Sequence, residues 1–145
     1  MTILYVEDDL DDCDLFIAAV NQLKIGKSIN CVIANDGEEG MAKLIDFPQN
    51  PDYIFLDINL PKMDGRELIT EIRKHQKLNG IPIIIFSTSI NSVEVEFFNR
   101  KGVFHFFNKP TDFGQLCNSL RMILVKPNSF ASDGPPTAIA GHQNN

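Results

Sequence analysis

Asp52-Tyr53-Ile54-Phe55-Leu56-Asp57-Ile58-Asn59-Leu60-Pro61-Lys62-Met63-Asp64-Gly65 joins a strand pattern to a helix start through a single acid. Its first half, Tyr53-Ile54-Phe55-Leu56, is an unbroken run of aromatic, β-branched and aliphatic residues. That is the pattern of a strand covered on both faces of a parallel sheet. Asp57 ends the run. Pro61 has no amide hydrogen for a ladder and Asp64-Gly65 signals a turn or a helix start, so the strand stops near Asp57 and a helix begins near Asp64. Asp57 is therefore expected at the carboxyl end of a central strand, the edge of an open α/β sheet where ligands bind.

Working outward, Thr2-Ile3-Leu4-Tyr5-Val6 reads as a first strand and runs straight into Glu7-Asp8-Asp9-Leu10-Asp11-Asp12-Cys13-Asp14, six acids in eight residues. Leu10, Cys13, Phe16-Ile17, Val20 and Leu23 recur at helical spacing, which predicts a helix from about Asp9 to Lys24 with Gly26 as its stop. Acids in the first turns of a helix favour the positive end of its dipole, which accounts for Asp11, Asp12 and Asp14 without any further role. Glu7 and Asp8 differ, because they fall at a strand end as Asp57 does. Residues 28–34 read as a second strand, Asn35-Asp36-Gly37 as a turn and cap, and Met41, Leu44 and Ile45 as a short helix ending near Pro48.

Beyond the central stretch, a helix is expected from about Asp64 to His75, with Arg66, Glu67, Glu71, Arg73 and Lys74 on its wet face. Pro82-Ile83-Ile84-Ile85-Phe86 is a further buried strand ending in the hydroxyls Ser87-Thr88-Ser89. Element order predicts a helix over 91–101, although Val93-Glu94-Val95-Glu96-Phe97 alternates with the period of a strand. Val103 to Phe107 reads as a last strand leading to Asn108-Lys109-Pro110, and Asp112 as the cap of a final helix with Phe113, Leu116, Leu120 and Ile123-Leu124 at core spacing. Residues 126–145 are polar and Pro/Gly-rich, a tail after a domain of residues 1–125. Strand and helix alternate five times, so the fold class is α/β: a doubly wound five-stranded parallel sheet with right-handed crossovers.

With 145 residues the chain suits one domain. A net charge of −6 and a pI near 4.9, with no Lys/Arg stripe, exclude recognition of nucleic acid by phosphate neutralisation. No segment approaches the length of a membrane span, and no signal-peptide core precedes Glu7. Cys13, Cys31 and Cys117 form no paired motif, read as small buried apolar residues, and suit a reducing, cytoplasmic setting. His75, His105 and His142 are scattered and offer no zinc site.

If each strand ends as read, Glu7, Asp8, Asp57, Ser87 and Lys109 all emerge from one sheet edge. Three crowded carboxylates repel or raise one another's pKa, so the set calls for a cation. Hard oxygen ligands suit Mg²⁺, which takes one or two carboxylates and retains waters that a phosphate can join. Beside a metal and a lysine, Asp57 is the candidate nucleophile toward phosphorus.

On these residues the chain resembles the receiver domains of two-component response regulators, the family that includes the chemotaxis response regulator, over residues 1–125. The resemblance is carried by Ile3-Leu4-Tyr5-Val6-Glu7-Asp8, by Asp57 through Gly65, by Phe86-Ser87-Thr88 and by Asn108-Lys109-Pro110. It implies the flavodoxin-like receiver topology and phosphoryl acceptance on Asp57 from a sensor histidine kinase or phosphotransfer protein. It further implies Mg²⁺ held by Glu7, Asp8, Asp57 and the carbonyl of Asn59, with Lys109 on the phosphoryl oxygens. Ser87 and Phe106 take the switch positions, and the Lys109-Pro110 bond is expected to be cis. Ser87 stands where Thr is frequent and Phe106 where Tyr is frequent, so the hydroxyl switch survives while a phenol signal does not. Phe104 and Phe107 read as packing.

The reading is then a stand-alone phosphorylation switch, not a turnover enzyme, signalling through the face of its fourth helix, last strand and last helix to a protein or to a second copy of itself. A small-molecule phosphatase would want a second acid two residues after the nucleophile, where Asn59 stands. A flavin-binding protein would want a phosphate-binding first loop, where the acids stand.

Overall fold

The computed structural model describes residues 1–23, 28–88 and 90–125. The expected stop at Gly26, Ser89, His142 and the tail over 126–145 lie outside the described residues. Among the described residues five strands, β1 (Thr2–Val6), β2 (Asn30–Ala34), β3 (Tyr53–Leu56), β4 (Ile83–Ser87) and β5 (His105–Asn108), alternate with five α-helices. The helices are α1 (Leu10–Gln22), α2 (Gly37–Asp46), α3 (Gly65–Lys74), α4 (Ser92–Arg100) and α5 (Phe113–Leu124). All strand pairs are parallel and the order is β2-β1-β3-β4-β5, which makes β3 the central strand.

Alternation along the strands feeds two cores. Leu4, Val6, Ile54, Leu56, Ile83, Ile85 and Phe106 pack with Leu44, Leu68, Ile69, Ile72 and Phe98 of α2, α3 and α4. Ile3, Tyr5, Phe55, Ile84, Phe86 and Phe107 pack with residues of α1 and α5 such as Phe16, Ala19, Leu120 and Ile123. In α3 the fully buried Leu68, Ile69 and Ile72 are one stripe, and each such side chain contributes about 1.5–3 kcal/mol by leaving water. Each α-helix starts on an Asp or Asn whose side chain accepts a first-turn amide: Asp9, Asp36, Asp64, Asn91 and Asp112. These caps bind helix starts to the loops at the carboxyl edge of the sheet.

Several expectations are corrected. The first helix ends at Gln22, because the Leu23 amide closes on the Val20 carbonyl in a tighter turn. The last strand pairs from His105, not Val103, since the Val103 amide is taken by the Phe98 carbonyl at the end of α4. The segment with strand-like alternation is helix α4. Its Asn91/Glu94 capping box fixes the start, and its inward positions are Glu94 and Phe98 while Val93 is 74% exposed. Alternation misleads there because a core-facing place holds an acid.

Cys13 and Cys117 are buried as expected, but Cys31 is only half-buried, since β2 is an edge strand. His105 is buried and burial pushes its pKa down to about 4, so it packs as a neutral ring against Phe107. Arg73, expected on the wet face, turns back to donate to the carbonyls of Lys101 at 2.6 Å, Gly102 at 3.0 Å and Asn79 at 3.0 Å. No peptide bond among the described residues is cis, so the Lys109-Pro110 bond is trans. Trans is the intrinsically favoured isomer of an X-Pro bond by about 0.5–1 kcal/mol. The Lys109 amide still reaches the Ser87 carbonyl at 2.8 Å.

Candidate functional site

Ladder hydrogen bonding continues one residue past three strands and aligns the chemistry. The Glu7 amide donates to the Ala34 carbonyl at 2.9 Å, the Asp57 amide to the Val6 carbonyl at 3.2 Å, and the Lys109 amide to the Ser87 carbonyl at 2.8 Å. Glu7, Asp57, Ser87 and Lys109 therefore line one edge. The loop after Asp57 turns through Lys62 in the left-handed region at φ 64° and closes where the Gly65 amide donates to the Ile58 carbonyl at 2.8 Å. Gly65 is required there. A Cβ would stand 2.7 Å from the Asp57 carbonyl oxygen and 2.8 Å from the Ile58 Cα.

The result is an open, acid-lined cleft of about 710 Å³ whose walls include Glu7, Asp8, Asp57, Asn59, Thr88 and Lys109. Carboxylate oxygens of Glu7, Asp8 and Asp57 lie within 4.8 Å of one another. The Ser87 hydroxyl, fully buried, donates to Asp57 Oδ1 at 2.7 Å. Lys109 Nζ contacts Glu7 Oε1, lies 2.9 Å from Asp12 Oδ2 and stands 3.7 Å from Asp57 Oδ2.

Burial pushes the Asp57 carboxyl above the usual range, outweighing the Ser87 hydrogen bond and the Lys109 charge that pull it down. Glu7 is likewise raised by burial in spite of its lysine partner. Burial alone would lower Lys109, but its bonds to Glu7 and Asp12 and the charge of Asp57 hold it above its ordinary value. The Lys109 ammonium meets three carboxylates, Glu7, Asp12 and Asp57, and Asp8 adds a fourth to the cluster, which keeps excess negative charge. An all-oxygen, negative donor set fits a hard divalent cation with room for waters and a phosphate oxygen.

The structure brings together every residue that the sequence pointed to at the edge: Glu7, Asp8, Asp57, Asn59, Ser87 and Lys109. Phe106 stands apart, 0% exposed among the α3 and α4 side chains and edge-on to Phe98 at 6.5 Å. Sequence reasoning missed Asp12, which it assigned to the helix dipole. The local sequence carried no signal for it, because Asp12 stands among Asp9, Asp11 and Asp14 and its partner Lys109 is 97 residues away. It also missed the ion pair of Arg66 with Glu94 at 2.6 Å, which ties the starts of α3 and α4 together.

Residues 3–121 match the profile of the response regulator receiver domain. The chain belongs to that family. This receiver domain is 36% identical over 98 residues to the response regulator Rcp1 of Synechocystis sp., an alignment covering 64% of this chain and 65% of Rcp1. It is 27% identical over 106 residues to the sensor histidine kinase CheAY of Helicobacter pylori, covering 73% of this chain and 13% of that protein. The chain thus spans less than two thirds of these relatives' length.

Among solved structures, the Mn²⁺-bound form of Rcp1 superposes with a TM-score of 0.74 at 31% identity, covering 84% of this chain and 90% of the other. The phosphorylated cyanobacterial phytochrome response regulator RcpA gives a TM-score of 0.75 at 31% identity, over 87% and 94%. The receiver fold and its place in two-component signalling are thereby shown. The acidic cluster of Glu7, Asp8 and Asp57 fits divalent metal and aspartyl phosphate.

Proposed function

We propose that the chain is a phosphorylation switch that accepts a phosphoryl group on Asp57 from the phosphohistidine of a sensor kinase or phosphotransfer protein. One observation carries this reading: a buried carboxylate, Asp57, with Ser87 Oγ at 2.7 Å, Lys109 Nζ at 3.7 Å and two further acids within 4.8 Å. Glu7, Asp8, Asp57 and the Asn59 carbonyl would hold Mg²⁺, which supplies charge neutralisation on the phosphoryl oxygens. That Rcp1, a relative, has been solved with Mn²⁺ bound supports a divalent ion here.

An Asp57 carboxylate oxygen bonds to phosphorus as the donor's nitrogen–phosphorus bond breaks, and the electron pair stays on the imidazole, which takes a proton from solvent. Lys109 balances charge on the transferred group. Ser87 turns its hydroxyl from Asp57 to a phosphoryl oxygen, and Phe106, on the neighbouring strand against Phe98, is the ring that follows. The output is a shift on the face of α4, β5 and α5, with a coupling of about 1–3 kcal/mol between site and face. Hydrolysis of the aspartyl phosphate resets the switch, so the chemistry is self-directed and no separate substrate is turned over. The free cysteines suit a reducing cytoplasm.

Intact-protein mass spectrometry after incubation with Mg²⁺ and acetyl phosphate tests this. One added phosphoryl group, dependent on metal and lost in Asp57→Asn, is the expected result. An adduct that persists in Asp57→Asn refutes the assignment.

A further inference from the structure

We propose that Tyr5, a residue of the apolar first strand, is a positioning residue of the acidic site: its phenol fixes the Glu7 carboxylate and, through it, the metal-binding acids and Lys109. This rests on the functional reading above and adds a residue to it. Tyr5 and Glu7 are two apart on an extended chain and so project from the same face. The Tyr5 ring is 1% exposed, stacked on Phe16 at 4.2 Å with planes 27° apart, and edge-on to Phe86 at 6.3 Å. Held in that way, its hydroxyl donates to Glu7 Oε1 at 3.2 Å.

Glu7 is itself 1% exposed, and it is gripped from three elements. Oε1 accepts from the Tyr5 phenol of β1 and from the Lys109 ammonium after β5, while Oε2 accepts from the Asp9 amide at 3.1 Å at the cap of α1. A phenylalanine would fill the same space and make the same ring contacts. What a tyrosine adds is a buried hydroxyl, which must find a partner, and the partner it has is an acid of the site. Without that donor, Oε1 keeps only Lys109, and the carboxylate is freer to turn about its last torsion. The same acid belongs to the oxygen cluster with Asp8 and Asp57 and anchors the ammonium that also reaches Asp12 and Asp57. Loss of the phenol therefore loosens two parts at once. Partners that orient metal ligands from outside the coordination sphere typically change metal affinity about 10–100-fold when removed.

Tyr5→Phe removes only the hydroxyl. Calorimetric titration of the full chain with MnCl₂ and with MgCl₂, paired with thermal melts in EDTA, tests the role. Expected for Tyr5→Phe are affinities about tenfold weaker for both metals, with a metal-free melting temperature within about 2 °C of wild type. Equal affinity in the two proteins overturns the inference. So does a weakened affinity accompanied by a melting temperature lowered by more than about 5 °C, which makes Tyr5 a core residue whose loss loosens the whole strand. A wild type that binds neither metal refutes the metal site itself, and the inference falls with it.

Discussion

Replacing Asp57 by Asn should stabilise the metal-free protein. Asp57 is 7% exposed and its carboxyl is raised above the usual range because burial outweighs its favourable contacts. In the ionised state it adds a charge to a cluster where Glu7, Asp8 and Asp12 already outnumber Lys109. Asn keeps an oxygen to accept from Ser87 and removes the charge. The lost attraction to Lys109 acts over 3.7 Å and is shared with two closer acids, so it offsets only part of the relief.

Buried, incompletely neutralised carboxylates cost on the order of 1–2 kcal/mol at such sites, which for a domain of this size is about 3–8 °C in melting temperature. Circular dichroism melts at pH 7.5, low salt and EDTA should show that gain. Saturating Mg²⁺ should reverse the order, since a ligand at a hundred times its Kd adds about 2.7 kcal/mol to the state that binds it. The sign with pH follows from the raised pKa. The native state holds the Asp57 proton more tightly than the unfolded chain, so the cost is absent where the carboxyl is protonated and complete above its folded pKa. The advantage of Asp57→Asn should shrink as pH falls from neutrality into the carboxylate range. A variant less stable than wild type in EDTA at pH 7.5, or an advantage that grows on acidification, refutes the reasoning.

Lys109→Met should act in the opposite direction, costing about 3 kcal/mol in metal-free melts, because it leaves Glu7 buried without its cation; the pair Glu7→Gln with Lys109→Met should recover most of the loss, and an unchanged single variant would show that the ion pair is not held in solution. Gly65→Ala should cost about 1–3 kcal/mol in urea unfolding at unchanged m-value, since its Cβ meets backbone atoms at 2.7 and 2.8 Å and forces the loop after Asp57 to move; retention of wild-type stability would mean that the loop yields freely.

The strands were legible because a parallel sheet buried on both faces leaves long apolar runs, and the site was legible because polar residues end those runs at one edge. Helix starts were legible in Asp36, Asp64 and Asp112, whose side chains compete for first-turn amides. Helix α4 was legible only from element order, since Glu94 occupies a core-facing position and is satisfied by Arg66 and the Asn91 amide. Periodicity measures hydrophobicity and has no account of a buried acid with partners. The isomer at Pro110 was open in the sequence, because the two forms differ by less energy than a few tertiary contacts supply.

The order of elements, the edge at which the chemistry gathers and the family could all be read from the chain alone. Those follow from local propensities, from run lengths and from the parallel topology that a strand-helix alternation imposes. Packing in three dimensions set who holds whom: Asp12 on Lys109, Arg66 across to Glu94, Arg73 on the carbonyls of the loops at 79 and 101–102. Those contacts join residues far apart in the chain or on different elements, and their geometry is fixed by packing distances that no spacing in the sequence encodes.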